Sequence, residues 1–414
     1  MGEGRWTTTR GGDGISLTRH RLRLAATLKA KTVRDRLPAL LTVILLALCV
    51  GPLGPSLGPA SSLAAQEVAA SEPHQPAWLA GIGARLQLQH SWEHPDNHHT
   101  TRVRRGRIWA RGLAANRFGY TLQAELAGDE LQLLDAQVST HLAGPVHLWL
   151  GQGKVPFGRQ QLNSSGALSL VDRSVADGRF TPARRVGVKL HGAAMDDHVT
   201  FALGRFEARG IGGGPGVPGR SMVAGRLVWT PLGAYPTVES PLRIPDGPRL
   251  ALGVAGLSTS EERGGHRARV SRWAGEGALR MGRLQVVTEA FREEGSSVVA
   301  PEEMAEGGLD QGGMARLEYP GAWGGHLQVG LLSRDLAHEV VVRHALIRPD
   351  ASGHSTGVEP GVNDEPGVSE TGVGYTRYLD GHRTKVQADI HRISRDSDLP
   401  TEARIRLQLT MTLW

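Results

Sequence analysis

The chain has 414 residues, of which 40% are hydrophobic, 5% aromatic and 21% charged, with a single cysteine. Its formal charge of +6 sits at the front: residues 1–64 carry nine Lys/Arg against three acids, leaving 38 of each sign in the remainder. A balanced remainder excludes a nucleic-acid reading built on overall basicity, and a lone cysteine excludes a disulfide framework.

Residues 1–36 are basic, and residues 39–50 (ALLTVILLALCV) form a short apolar run. Spanning a bilayer as a helix takes roughly 20 apolar residues. The order of basic region, apolar run and small-residue site at Ser62-Leu63-Ala64 reads as a secretory signal. The expected organisation is therefore a signal peptide and basic leader over 1–64 and one domain over 65–414. Lipidation of Cys49 is the weaker alternative, because Leu48 stands where a small residue is wanted.

Beyond residue 64 short alternating segments recur. They include 82–88 (IGARLQL), 118–126 (FGYTLQAEL), 146–150, 186–190, 199–203, 250–257, 284–291, 326–332 and 386–392. Strict alternation places one face of each strand in an apolar medium and the other in a wet one. The final RIRLQLTMTLW (404–414) sets Ile405, Leu407, Leu409, Met411 and Leu413 against Arg404, Arg406, Gln408, Thr410 and Thr412. Fifty-five glycines suit turns and close strand packing. An exported chain of such strands predicts an all-β transmembrane antiparallel barrel of about 16 strands, allowing roughly 10 residues per strand and about 12 per connection. Polar insertions at 158–184, 293–312 and 351–370 are expected as external or lumen-folded loops.

Two features run against this reading. Trp414 falls in phase with the threonines rather than the apolar residues, and aromatics are scarce for a barrel with interfacial girdles. Trp78, Trp92, Trp109, Trp149, Trp229, Trp273, Trp323 and Trp414 allow only a thin girdle. A soluble periplasmic β-sandwich shares the alternation and would be extracted without detergent.

The stretch 102–192 carries more than pattern. RVRRGRIWARGLAANRFGYTLQAELAG (102–128) and LLDAQVST (133–140) are followed by LWLGQGKVPFGRQQLNSSGALSLVDRS (148–174) and FTPARRVGVKLHG (180–192). An Arg-rich second strand, a GQ-x-K-x-PFG strand end, a Ser-rich loop ending in an acid-Arg pair and a P-x-R-x-x-G strand start resemble the phosphate-selective porin O and P family. VGYTRYLDGHRTKVQADIHR (373–392) and the closing strand resemble that family's last hairpin. The resemblance implies a homotrimeric barrel in the outer membrane of a Gram-negative-type bacterium, seated in lipid. It would pass small anions such as phosphate through an arginine-lined constriction, with no cofactor.

A channel that prefers anions needs fixed positive charge where it narrows. Arg105, Arg107 and Arg111 share one parity opposite Ile108 and Ala110, and are expected on the lumen face. Arg102 and Arg104 fall on the other parity, near the strand end. The insertion 158–184 holds Arg159, Arg173, Arg179 and Arg184 with Asp172 and Asp177 between. The resemblance implies that it folds into the channel, whereas balanced charge also fits an external loop. Lys154, Arg185 and Lys189 flank it; Arg185 and Lys189 oppose Val186, Val188 and Leu190. The competing reading is that lumen charges merely hydrate the interior and pair with acids such as Glu125 and Asp135.

His94, His98 and His99 with Glu93 and Asp96 have the chemistry of a metal site, but a solvated connection between strands is the simpler reading, and no metal is expected. No nucleophile elbow, H-E-x-x-H or P-loop occurs. A pairing of Ser164 or Ser165 with His191 has nothing to position it, so a barrel hydrolase is not expected. The expectation is passive diffusion of small hydrophilic solutes. The alternative is a loop-plugged barrel acting as a receptor or adhesin.

Overall fold

The computed structural model describes residues 81–128, 130–207, 221–236, 238–240, 242–263, 266–297, 321–350, 366–396 and 400–413. The leader with Cys49, Trp78, Trp414, and the greater part of the insertions 293–312 and 351–370 lie outside the described residues.

Sixteen strands follow one another around a closed antiparallel barrel. They are β1 (Gly81–His94), β2 (His98–Ala114), β3 (Phe118–Glu125), β4 (Gln132–Ala143), β5 (Val146–Lys154), β6 (Arg184–Ala194), β7 (Val199–Glu207), β8 (Ser221–Trp229), β9 (Arg249–Arg263), β10 (His266–Met281), β11 (Leu284–Ser297), β12 (Ala322–Leu332), β13 (His338–Pro349), β14 (Val368–Asp380), β15 (Thr384–Arg395) and β16 (Glu402–Leu413). The terminal strand β16 closes the ring on β1, from Ala84 opposite Leu413 to His94 opposite Ala403. Closure leaves no strand edge, so the backbone can cross lipid with its polar groups paired. Among the described residues no helix is long and apolar enough to cross a membrane.

Alternation sorts the two faces. Leu86, Ile108, Leu122, Val188, Leu252, Leu327, Ile390 and Leu407 are exposed on the outer face, where lipid covers them. Trp229, Trp273 and Trp323 are also exposed, but Trp109 and Trp149 are buried. These two rings belong to the interior, so the girdle is thinner than the sequence suggests.

Every long connection except one lies at the same end. That end is extracellular by the usual asymmetry of such barrels, with short turns on the periplasmic side. The 29-residue connection 155–183 turns into the barrel and carries two short helices, α1 (Arg159–Leu162) and α2 (Val175–Phe180). Its entry explains the PFG motif. Val155 and Phe157 are fully buried, and Gly158 adopts φ 76°, where an added Cβ would lie 2.6 Å from Thr181 Cγ2. Ser174 caps α2 by accepting from the Asp177 amide at 3.1 Å.

The loop needs an apolar seat, so the lumen is not wet throughout. Phe157 and Phe180 pack with Phe206, Leu257, Phe291 and Ile347 from the inner wall; Phe180 stacks on Phe291 at 5.4 Å. At Gly374 on β14 an added Cβ would run into the end of the Leu170 side chain of the loop, so a larger residue there would have to displace it.

Candidate channel and its constriction

The wall and the loop exchange backbone hydrogen bonds through wall side chains. Glu289 accepts from the Arg159 and Gln160 amides at 2.5 and 2.9 Å, Glu370 from Val175 at 3.1 Å, and Asp389 from Val171 at 3.1 Å. Lys385 donates to the Leu168 carbonyl at 2.5 Å, while Thr376 and Gln387 donate to that of Ser169 at 2.9 and 3.1 Å. A buried loop must have its backbone groups paired, and here strands β11, β14 and β15 supply the partners. The loop therefore crosses the lumen and lies against the far wall.

Its tip meets β1, β2 and β16. Ser164 and Ser165 accept from Arg85 and Arg107, both at 3.0 Å. Asp172 receives Arg105 at 2.7 Å, with Arg104 at 3.4 Å and Arg406 at 3.6 Å. The position of Arg104 corrects the parity reading. Gln87 pairs with Arg105 but Leu88 pairs with Val103, so Arg104 is the extra residue of a β-bulge. The bulge sends Arg104 inward beside Arg105. It also returns Arg102 to the inner face, where it donates to Gln89 at 3.2 Å. A one-residue insertion in the pairing is invisible to a strict period of two.

The other sequence-predicted residues divide by partner. Arg107 pairs with Glu125 at 2.7 Å, and Arg184 with Asp135 at 2.7 Å. Arg179 makes a two-pronged bond to Glu293 at 2.9 and 3.1 Å. Arg159 lies 3.4 Å from Glu276 and over the Tyr235 ring at 4.4 Å. Arg173 donates to the Gln160 and Asn163 carbonyls, as Lys154 does to Leu162 and Asn163. These four are spent fastening the loop, to the wall acids or to its own carbonyls, rather than facing open water. Arg111 sits over the Trp109 ring at 5.8 Å and Lys189 over Trp149 at 4.6 Å. Arg185 donates to the Arg184 carbonyl at 2.9 Å.

Sequence reasoning missed Arg85, Arg343 and Arg406, and the wall acids Glu289, Glu370 and Asp389. Arg406 was visible only as one member of the wet face of the last strand. Nothing local showed that it would meet Asp172, 234 positions earlier in the chain. A cavity of 130 Å³ remains between Asp172, Arg343, Glu370, His391 and Arg406.

Burial disfavours the Asp172 carboxylate, but Arg105, Arg104 and Arg406 outweigh it and hold its carboxyl down to about 2. Asp177 behaves oppositely: burial pushes its carboxyl up to about 6 against the pull of Arg173 and Lys154.

Among the described residues no three His, Cys, Asp or Glu side chains are placed to hold a metal. His99 instead stacks on Trp92 at 6.1 Å. Ser165 is taken by Arg107, while His191 stacks on His147 at 5.6 Å.

With loop 155–183 laid across the lumen, the exposed inner positions are those of β2–β6. Arg107, Arg111, Gln123, Asp135, Gln137, His147 and Lys189 are half-buried, whereas the inner positions of β10–β15 are buried almost without break. Strands β2–β6 carry Arg102, Arg104, Arg105, Arg107, Arg111, Lys154, Arg184, Arg185 and Lys189, against only Glu125 and Asp135.

A closed sixteen-stranded barrel with an apolar outside and a loop folded across a charged lumen is a porin of the Gram-negative outer membrane. Residues 87–323 match the family model of phosphate-selective porin O and P, and the chain belongs to that family. The matched span includes the middle of the chain as far as β12, which the motifs did not cover. Solved structures share the fold at low identity. The anion-selective porin from Comamonas acidovorans has a TM-score of 0.54 at 12% identity, over 80% of this chain and 99% of that one. The outer membrane channel DcaP of Acinetobacter baumannii has 0.54 at 10%, over 80% and 96%. OmpT of Vibrio cholerae, in its trimer form, has 0.50 at 9%, over 81% and 98%. No curated protein matches the chain by sequence.

Proposed function

We propose that this porin passes small hydrophilic solutes passively with a preference for anions, phosphate being one candidate, and that it works as a homotrimer in the outer-membrane lipid. One observation carries the reading. The inner face left open beside the infolded loop is the cationic one: β2–β6 carry nine basic side chains against two acids, and Arg107, Arg111, Arg184, Arg185 and Lys189 stay half-buried there while the loop takes up Arg105 and Lys154. Fixed charge of one sign along a narrow path lowers the barrier for the opposite ion. Arg107 and Arg111 lie on the face on β2, beside Arg105 covered by Asp172, and Lys189 and Arg185 continue it on β6. The family and the anion-selective relative from Comamonas acidovorans favour the same preference. Trimeric OmpT favours the oligomer, which cross-linking in native membranes would read directly.

The test is a planar-bilayer recording of the refolded chain under a KCl gradient, then with phosphate added. Discrete steps with an anion-signed reversal potential are expected. Arg185→Ala with Lys189→Ala should move that potential towards zero; an unchanged potential would remove these two from the filter.

A second reading is a loop-plugged barrel serving as a receptor or adhesin. The apolar cluster inside the lumen favours it. Silence from folded wild-type protein would select it.

A further inference from the structure

The periplasmic ends of the strands are joined by connections of two to five residues, except between β8 and β9, where residues 230–248 take 19. Two residues suffice to join antiparallel strands. This segment instead turns into the barrel from below and brings a carboxylate with it. Glu239 and Ser240 are buried at 2% and 0% exposure. Burying a charge is costly unless donors surround it, and Glu239 has three. The Ser169 amide reaches it at 2.9 Å, Gln328 Nε2 at 3.1 Å and Gln160 Nε2 at 3.3 Å.

Two of those three donors belong to the infolded loop. A backbone bond reinforces them, the Glu239 amide donating to the Ala167 carbonyl at 3.2 Å. The base of the segment is fixed separately. Tyr235 lies between the Arg159 and Arg280 guanidiniums at 4.4 and 5.0 Å, and Arg280 donates to the carbonyls of Val238 and Glu239. The loop turn 167–169 is thus held on one side by Lys385, Gln387 and Thr376, and on the other by a segment arriving from the opposite end of the barrel.

We propose that residues 230–248 form an inward strap whose Glu239 positions the constriction loop, confining passage to the cationic β2–β6 face and so setting both conductance and anion preference. The strap rests on the porin reading for its effect on conduction, but not for its hold on the loop. Glu239 is a positioning residue and touches no solute. It also places negative charge on the covered side of the lumen, away from the open path.

The test uses the full chain with 235–246 replaced by Asn-Gly, and separately Glu239→Ala. Both are first checked for folding by heat-modifiable mobility on gels. A released loop would widen the path, so single-channel conductance is expected to rise about twofold or more, with the reversal potential moving towards zero. Glu239→Ala should move both in the same direction by less. Folded variants that keep wild-type conductance and reversal potential would overturn the proposal.

Trypsin reads the loop without any conduction. Cleavage after Arg159, Arg173 or Arg179 should quicken about tenfold in Glu239→Ala, as local opening becomes easier. An unchanged cleavage rate would overturn the strap even if wild type proves silent in bilayers. Wild-type silence alone would overturn the porin reading. Faster cleavage alongside that silence would keep the strap as part of a plug.

Discussion

Two aspartates five positions apart in the constriction loop respond to acid in opposite directions. Asp172 sits among Arg105, Arg104 and Arg406 and stays ionised down to about pH 2. Its contribution to docking is complete above about 4 and fades only as pH falls towards 2, so it is constant in ordinary buffers. Asp177 is buried with its closest cation, Arg173, at 3.7 Å and with Glu239 opposing the pull of Arg173, Lys154 and Arg343, and its carboxyl is pushed up to about 6. A released loop would titrate near the ordinary 3.8. Between those values the docked loop holds a proton that the released loop has given up. Docking therefore weakens as pH rises from about 4 to about 6, and stays at the weaker level above. Asp177→Asn removes the charge and should strengthen docking at pH 8 by about 1–3 kcal/mol, and by roughly half as much at pH 5. Heat-modification midpoints at the two pH values check this. A variant less stable than wild type at pH 8 would mean that the 3.7 Å pair with Arg173 outweighs burial.

At the scale of elements, the loop docks because β14 offers a gap at Gly374. Gly374→Val would drive a methyl into the Leu170 side chain, which the Cβ alone already overlaps. The loop should lift from β14, raising conductance and trypsin sensitivity in 159–179. Gly275→Val on the outer face of β10 meets nothing within 4 Å and should leave both unchanged. Equal behaviour of the two variants would show that close approach at β14 does not seat the loop. This seat also marks where sequence reading stops. Strands such as 326–332 and 386–392 were legible because burial alternates with the backbone's period of two. The PFG entry was legible as a motif. The bulge at Arg104 was not, because it depends on how β2 pairs with β1. Nor was the strap, since 231–248 reads as a proline-rich turn and the donors for Glu239 come from Gln160, Ser169 and Gln328, far away in the chain. The long-range partners of the predicted arginines were hidden for the same reason. Glu276 for Arg159 and Glu293 for Arg179 lie more than a hundred positions on.

Over the whole molecule, positive and negative charges are nearly balanced once the leader is set aside, yet they are not mixed evenly around the barrel. Acids gather on β10–β15, where Glu276, Glu289, Glu293, Glu339, Glu370 and Asp389 are all buried against the loop, the strap or arginines. The open face on β2–β6 is cationic. A close pair such as Arg105–Asp172 at 2.7 Å is nearly neutral seen from a distance, so the field an ion meets comes from the sector's surplus of basic side chains. Such a field acts over a Debye length, about 10 Å at 0.1 M salt and about 3 Å at 1 M. Anion preference measured across the same tenfold KCl gradient should therefore be strong with 0.1 M on the concentrated side and should shrink several-fold with 1 M there. Selectivity arising from direct coordination at a tight neck would survive the change, because contacts at hydrogen-bond distance are barely screened. A reversal potential that keeps its size at 1 M would place the filter in a contact site such as the Arg406–Asp172 region. One that collapses would place it in the charge of the open face.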